Sequence, residues 1–359
     1  MEISESLIYF WLSRTYVGAH KINAIARSAP IKAIWEEPER FRQALGDKYG
    51  ELVRTRSRDF LCGQLEKLRG EGIGVMTRAN PSFPERLRQK EVSPPLALYY
   101  MGDSGLLSTD SVAIVGTRAC SSYGQNVAQR LASGIASEGL TVVSGLATGI
   151  DGYALRAALD SGGKVITVVA SGLDKITPVS NTALFEEISE KGLAVSELPP
   201  GTEAMKFTFP ERNRLIAGLT LGTVVVEAPE KSGALLTAEF ALEQGRELFA
   251  VPGNVTSPRS AGTNALIADG AKLVRGVGDI LSELGIKPRV REPDGMNFTD
   301  AECAIIRILQ RDGSAHFDSL CDCLGLKPYE LTPLLVGLEL KDVIIRLPAN
   351  NYAIKDLIK

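Results

Sequence analysis

Basic and aromatic residues are concentrated in one short stretch of this chain, KFTFPERNR (206–214). The side chains in it that suit nucleic-acid contact are Lys206, Arg212, Asn213 and Arg214, around the aromatic Phe207 and Phe209. Cations that neutralise phosphates, beside rings on which bases stack, are what a protein needs to hold a single nucleic-acid strand. The alternative is that both phenylalanines are core residues and the arginines pair with Glu203 and Glu211.

Glycines and hydroxyl groups follow two apolar runs upstream of this stretch. The first run, VAIV (112–115), leads into Gly116, Thr117 and Arg118, and the second leads into SGLATGID (144–151), with Gly145 and Gly149. Where a strand turns into a helix, backbone N–H groups and the helix dipole favour an anion. Neither segment has the G-x-G-x-x-G or G-x-x-x-x-G-K-[ST] pattern. Ordinary tight turns of an α/β domain therefore remain the alternative for each one.

A third such turn follows the apolar run TVVVE (223–227). Ser232 or Gly233 is expected to cap a helix whose N-terminus points to the same edge of the sheet. Glu227, at the end of the run, is the best single candidate for catalysis, but a structural hydrogen-bonding role is favoured because one carboxylate alone is a poor catalytic site.

Other catalytic and metal chemistry finds little support. The only histidines, His20 and His316, lie outside residues 111–285, where strand and helix patterns alternate. A Ser-His-Asp triad in that region is therefore excluded. Cys321 and Cys323 have no second pair at zinc spacing. We therefore expect no catalytic residue, no metal and no cofactor.

Short β-branched runs alternate with helical patterns between residues 111 and 285, which indicates a parallel sheet covered on both faces. Right-handed crossovers make such a sheet doubly wound and Rossmann-like. The strands and helices are expected at 112–115, 141–143, 165–169, 193–195, 223–226 and 248–251, and at 125–137, 150–160, 183–190, 212–219 and 235–244.

The flanking segments predict four further parts. Residues 1–75 read as a helical domain, 76–110 as a proline-marked connector packed on the core, and 286–297 as a polar linker. Residues 298–359 have the helix and hairpin order of a winged helix-turn-helix. From residue 296 onward there are seven Lys and Arg against nine Asp and Glu, so this module lacks the charge of a duplex reader and a protein-contact or auxiliary role is expected.

Charge and hydropathy limit the remaining possibilities. The formal net charge of −3 requires any nucleic-acid site to be a local basic patch. No apolar run reaches the length needed to span a bilayer, so no membrane contact is expected. Five scattered cysteines and an acidic N-terminus favour reduced thiols in the cytoplasm over secretion.

Taken together, the motifs resemble the DNA-processing protein A family (DprA, also called Smf). The segments that carry the resemblance stand in family order: AIVGTR (113–118), VVSGLATGID (142–151), SGLD (171–174), FPERNRLIAGL (209–219), VVVEAPEKSGALLTA (224–238), FAVPGN (249–254) and GTNALIADGAKLV (262–274). The resemblance implies an ATP-independent homodimer that protects single-stranded DNA and loads the RecA recombinase onto it during natural transformation. It maps the family's pocket arginine onto Arg118, and its lysine and phenylalanine onto Lys206 and Phe209.

Two other functions compete with this one. The lysine-decarboxylase-like nucleotide hydrolases share a related sheet, but their P-G-G-x-G-T-x-x-E pattern is missing at Pro252, Gly253 and Asn254. A structural adaptor acting through the winged helix is the third hypothesis.

Overall fold

The computed structural model describes residues 3–15, 17–289, 298–341 and 343–355. The chain forms two compact units, Met1–Lys287 and Pro288–Lys359. Most of the predicted linker, residues 290–297, lies outside the described residues. The finer division of the first unit at residues 75 and 110 stays a prediction.

The N-terminal segment of the first unit is helical, as its apolar spacing predicts. Its helices are α1 (Glu5–Arg14), α2 (Ala19–Ala26), α3 (Ile31–Glu36), α4 (Arg42–Leu45), α5 (Tyr49–Thr55) and α6 (Arg58–Gly70). Trp11 is fully buried and donates a hydrogen bond through Nε1 to the Leu52 carbonyl (3.0 Å). The Ser13 hydroxyl lies 2.9 Å from the Tyr99 hydroxyl on the sheet. The helices therefore share a core with one sheet face.

Among the described residues of the first unit, nine strands form one sheet. They are β1 (Gly74–Thr77), β2 (Ala97–Gly102), β3 (Ser111–Val115), β4 (Thr141–Ser144), β5 (Val165–Val168), β6 (Leu193–Ser196), β7 (Gly222–Val225), β8 (Glu247–Ala250) and β9 (Lys272–Leu273). Their spatial order is β1-β2-β6-β5-β4-β3-β7-β8-β9. Strands β3 to β9 pair in parallel, whereas β1 and β2 are antiparallel.

Helices connect the parallel strands, which confirms the predicted doubly wound α/β fold. Helix α7 (Glu85–Arg88) lies between the antiparallel strands β1 and β2, and α14 (Val277–Glu283) follows β9. The connecting helices are α8 (Ser122–Ser137), α9 (Ile150–Asp160), α10 (Thr182–Lys191), α11 (Thr208–Leu219), α12 (Gly233–Glu243) and α13 (Ala261–Ala268). Strands β3 to β7 are buried along their whole length because hydrophobic clusters cover both faces of the sheet. None of the described helices is long and apolar enough to cross a membrane.

The sequence did not predict β1 and β2, which lie at either end of the proline-marked connector. The connector is therefore part of the sheet, and β2 pairs with β6, almost a hundred residues further along the chain. The sequence also did not predict α13, β9 and α14, and α11 begins at Thr208, before the predicted start at Arg212.

The second unit has the elements α15 (Asp300–Asp312), β10 (Ala315–His316), α16 (Phe317–Leu324), α17 (Pro328–Leu340), β11 (Ile344–Leu347) and β12 (Asn351–Ile354). Its strands form an antiparallel sheet in the order β10-β12-β11 around its own hydrophobic core. Ala349 and Asn350 adopt left-handed conformations in the hairpin turn. This is the element order expected for a winged helix-turn-helix, and the assignment to that class stays a prediction.

Candidate nucleic-acid interface

A cavity of about 400 Å³ opens where the strand order of the sheet reverses. From β3 the chain proceeds to β4, β5 and β6 on one side, and then returns to place β7 and β8 on the other. The loops that leave β3 and β7 diverge at this point, and such switch points are where open α/β sheets bind ligands. Eight of the twelve residues expected at a nucleic-acid site line this cavity: Gly116, Thr117, Arg118, Phe209, Arg212, Asn213, Ser232 and Gly233.

The loop after β3 forms the first wall of the cavity. The Thr117 N–H donates to the Glu227 carbonyl (2.8 Å), which ties this loop to the end of β7. A Cβ on Gly116 would lie 2.5 Å from the Ile150 side chain, so a larger residue does not fit there. Arg118 follows these two anchored residues and is exposed. The anchoring holds the Arg118 backbone at the cavity mouth.

Gly149 packs against the backbone of this loop, although it does not line the cavity. It has φ +80°, and a Cβ there would lie 2.5 Å from the Thr117 carbonyl oxygen and 2.6 Å from that of Arg118. Glycine is therefore required by a close backbone approach as well as by its own conformation.

Helix α11 supplies Arg212, which is buried beneath the cavity. Its Nη1 donates to the carbonyl oxygens of Gly145 (2.9 Å) and Val168, and its Nε donates to Asn213 Oδ1 (3.0 Å). A Cβ on Gly145 would lie 2.4 Å from Nη1, so this glycine makes room for the guanidinium. Burial lowers the pKa of Arg212 to about 10, so the group stays protonated at neutral pH.

Asp151, at the start of α9, is a carboxylate among these cations and also lines the cavity. Burial raises the pKa of Asp151, while the charge of Arg212 and the backbone N–H of Gly145 act in the opposite direction. The Gly145 N–H donates to Asp151 Oδ2 over 3.2 Å. Asp151 and Arg212 therefore fix the turn after β4 together, because Asp151 binds the Gly145 N–H and Arg212 binds the Gly145 carbonyl.

The N-terminus of α12 forms another wall of the cavity. The Ser232 hydroxyl accepts a hydrogen bond from the Ala234 N–H (3.3 Å), which confirms the predicted N-cap. No atom lies within 4 Å of the position of a Cβ on Gly233, so the helix end is open. Asn213 Nδ2 donates to the Gly233 carbonyl (3.3 Å) and links α11 to this wall. An open helix N-terminus of this kind attracts anions.

A smaller cavity of about 70 Å³ adjoins the first and shares Arg118, Phe209 and Arg212 with it. Gly145 lines this smaller cavity. The Arg118 guanidinium lies over the Phe209 ring, 5.1 Å from its centroid. A cation and an aromatic face thus stand together where the two cavities meet.

The structure places two of the expected residues elsewhere. Lys206 is exposed just before α11 and lies outside the lining of both cavities. Arg214 is buried on the opposite side of α11, where it donates to the Val92 carbonyl (3.1 Å) and pairs with Glu197 and Glu211. The alternative weighed from the sequence, that the arginines pair with acidic residues, therefore describes Arg214.

Glu227 has the geometry of a structural residue. It is buried and accepts hydrogen bonds from the Ser121 N–H (2.8 Å) and the Ser121 hydroxyl (2.5 Å). These bonds hold the N-cap of α8 against the end of β7. Among the described residues, no group of three or more His, Cys, Asp or Glu has the arrangement of a metal site.

Sequence reasoning missed Lys231, Asp151 and Glu197 as parts of the interface and its support. Lys231 is exposed, lines the larger cavity and directly precedes the cap residue Ser232. A lysine next to a helix cap is a signal that could have found it. The roles of Asp151 and Glu197 depend on partners at Gly145 and Arg214, which no local pattern specifies.

The fold and the site define a class of protein: a doubly wound α/β protein with a cationic, aromatic-edged cavity at its switch point. A sequence profile of the family described as DNA recombination-mediator protein A matches residues 74–285. The chain belongs to this family, which confirms the resemblance found in its motifs.

Named relatives agree with the family assignment. The DNA processing protein DprA of Streptococcus pneumoniae is 46% identical over 189 residues, which cover 53% of this chain and 67% of the relative. That of Bacillus subtilis is 41% identical over 221 residues, 61% of this chain and 74% of the relative.

Solved structures give the same result. The crystal structure of the S. pneumoniae protein matches with a TM-score of 0.66 at 34% identity, over 79% of this chain and 99% of that one. DNA processing protein A of Helicobacter pylori, which binds single-stranded DNA, matches with a TM-score of 0.53 at 31% identity, over 59% of this chain and 95% of that one.

Proposed function

We propose that this protein binds single-stranded DNA at the switch-point cavity. The observation that carries the proposal is the arrangement of Arg118, Arg212 and the open N-terminus of α12 around one cavity, with the Phe209 ring at its edge. Phosphates are attracted to the cations and the helix end, and a base stacks on the ring. The single-stranded DNA binding of the related H. pylori protein supports this ligand.

The same arrangement favours single strands over duplexes. The faces of paired bases are hidden in a duplex, so an aromatic ring at the cavity edge gains contact only with an unpaired base. Basic side chains alone attract both forms of DNA. The strand preference of this protein therefore depends on Phe209.

The proposal extends to the steps after binding. We infer that the protein acts in the cytoplasm as a homodimer, protects incoming single strands and loads RecA onto them during natural transformation or recombination. The family description as a recombination mediator supports this role. RecA filament assembly on strands coated with single-strand-binding protein tests it, because a loader shortens the lag before assembly. An unchanged lag would remove RecA from the proposal and leave DNA binding intact.

Direct binding measurements test the core of the proposal. Labelled single strands and duplexes of the same sequence are titrated with wild-type protein and with Arg118→Ala. We expect tighter binding of the single strand and a weaker complex for the variant. Equal affinity for the two forms, or wild-type affinity in the variant, contradicts the proposal.

The competing function, hydrolysis of a nucleotide, has one observation in its favour: Asp151 is a carboxylate that lines the cavity. The hydrogen bonds of Asp151 to Gly145 and of Glu227 to Ser121 commit both groups to structure, and we propose that the protein does not turn over nucleotides. Incubation with nucleotides tests this directly. Steady release of base or phosphate by the wild type that Asp151→Asn or Glu227→Gln abolishes in the folded protein would establish the enzyme instead.

A further inference from the structure

Two exposed apolar side chains, Met205 and Phe207, lie next to the site in the chain but outside both cavities. Their exposed fractions are 53% and 55%. Phe209, two residues further on, is half-buried and lines both cavities. The core role considered for both phenylalanines therefore does not apply to Phe207. A large aromatic ring held in solvent at this position needs another explanation.

The backbone that presents these side chains is fixed by a closed set of hydrogen bonds. Thr208 is 2% exposed, and its N–H donates to the Met205 carbonyl (2.9 Å). Its hydroxyl donates to the same carbonyl (2.8 Å) and accepts from the Met205 N–H (3.0 Å). The turn before α11 is thus ordered by a buried residue, and its apolar side chains stay outside. A fixed turn loses little conformational entropy when a ligand packs on it.

The two phenylalanines differ in what covers their rings. The Arg118 guanidinium lies over the Phe209 ring. Among the described residues, no guanidinium or ammonium group lies over the ring of Phe207, and the exposed Lys206 directly precedes it in the chain. The stretch from 206 to 209 therefore offers a second cation and a second aromatic ring, adjacent in the chain, outside the lining of both cavities.

We propose that Phe207 is a second base-stacking residue that extends the DNA site beyond the cavity, with Lys206 contacting the backbone phosphate between the two stacked bases. This inference rests on the proposed function. The occupant is a base of the same strand, because Phe207 lies two residues before the cavity-lining Phe209 and directly follows the exposed Lys206, a cation suited to phosphate. A cation and an aromatic ring next to each other in the chain match the alternating phosphates and bases of a nucleic-acid strand, whereas a protein partner does not require this pattern.

Strand length separates the two stacking positions. A mononucleotide is short enough to occupy the cavity alone, whereas a longer strand reaches both the Phe209 ring and the Phe207 ring. Loss of the Phe207 ring should therefore leave the binding of short ligands unchanged and weaken that of long ones. The neutral ring contributes nothing to counterion release, so the salt dependence should stay the same.

The experiment measures the affinity of the full chain for thymidine oligonucleotides from one to about twelve units. Phe207→Ala is compared with Phe207→Trp and with Leu242→Ala, which removes another exposed apolar side chain, on α12. We expect Phe207→Ala to lose on the order of tenfold in affinity for the longest strands only. Phe207→Trp should retain that affinity, and Leu242→Ala should match the wild type.

The results that would overturn the inference differ from those that would overturn the proposed function. Wild-type affinity of Phe207→Ala at every length, while Arg118→Ala is impaired, contradicts the second stacking residue alone. A change in oligomeric state with unaltered DNA binding also contradicts it, and assigns the ring to a contact between copies of this chain. Absence of binding by the wild type, or normal binding by Arg118→Ala, contradicts the proposed function itself.

Discussion

The Arg118 guanidinium lies 5.1 Å from the centroid of the Phe209 ring, and this contact joins the loop after β3 to the start of α11. A guanidinium at this distance is attracted by the ring electrons. The pair presents a positive charge and an aromatic surface in one place, at the junction of both cavities. In the proposed complex, the two side chains contact the same nucleotide, Arg118 at its phosphate and Phe209 at its base.

Substitutions of this pair should separate charge from stacking. Arg118→Ala removes a phosphate contact, so the slope of log K against log salt should fall by about 0.7 on single strands. Lys206→Ala should have the same effect. Phe209→Ala should leave the slope unchanged and cost about 1–3 kcal/mol of binding free energy. Salt titrations of the three variants make the comparison.

The melting temperature of Phe209→Ala provides the control for this comparison. If Phe209 has only a structural role, Phe209→Ala should lower the melting temperature and should reduce DNA binding only as far as the protein unfolds. A destabilised Phe209→Ala that keeps its preference for single strands would refute the stacking role.

Arg214→Ala should damage folding and leave DNA contacts alone. Arg214 pairs with Glu197 in the interior, and removal of one partner of a buried ion pair costs about 3–5 kcal/mol of the free energy of unfolding. Denaturant titration should show this loss, while the salt slope of the folded variant should equal that of the wild type. The exposed Arg118 gives the matched control, with normal stability and a reduced slope. A reduced slope in Arg214→Ala would mean that this residue contacts phosphate after all.

Gly149→Ala should be strongly destabilising. The left-handed conformation costs about 1–3 kcal/mol in a residue with a side chain, and the new Cβ would also meet two carbonyl oxygens. Gly162→Ala separates these causes, because Gly162 has φ +71° and no atom within 4 Å of the added Cβ. We expect the free energy of unfolding to fall more for Gly149→Ala than for Gly162→Ala. Equal losses would show that the close approach to Thr117 and Arg118 has no energetic weight.

The second unit should not contribute to duplex binding. From residue 296 onward the chain has nine Asp and Glu against seven Lys and Arg, and the exposed side of α17 carries Tyr329, Val336 and Leu340 together with the acidic Glu330, so this unit attracts phosphates only weakly. A chain that ends before residue 298 should therefore bind duplex DNA as well as the full chain at physiological salt. A loss of duplex affinity of tenfold or more on truncation would give this unit a DNA-reading role.

Local patterns in the sequence determined most of the elements and the edge of the sheet on which the site lies. Helix α9 covers the predicted residues 150–160, and Ser232 caps α12 as expected. Each of these features depends on interactions between residues a few positions apart, such as apolar periodicity and the bond from a cap side chain to a nearby N–H. Glycines after parallel strands locate the binding edge for the same reason, because the chain direction alone places them there.

Tertiary structure decided which of the chemically similar residues line the candidate site. Arg212 and Arg214 are two positions apart on α11, and at 3.6 residues per turn their side chains point about 200° apart around the helix axis. One therefore reaches Gly145 beneath the cavity and the other reaches Glu197 in the core. Phe207 and Phe209 also differ in position. Phe207 precedes α11 and is exposed, whereas Phe209 lies in the first turn of α11 and lines both cavities. The partners of the two arginines, Gly145, Val168 and Glu197, lie in or after three different strands, and only the folded sheet brings them to α11.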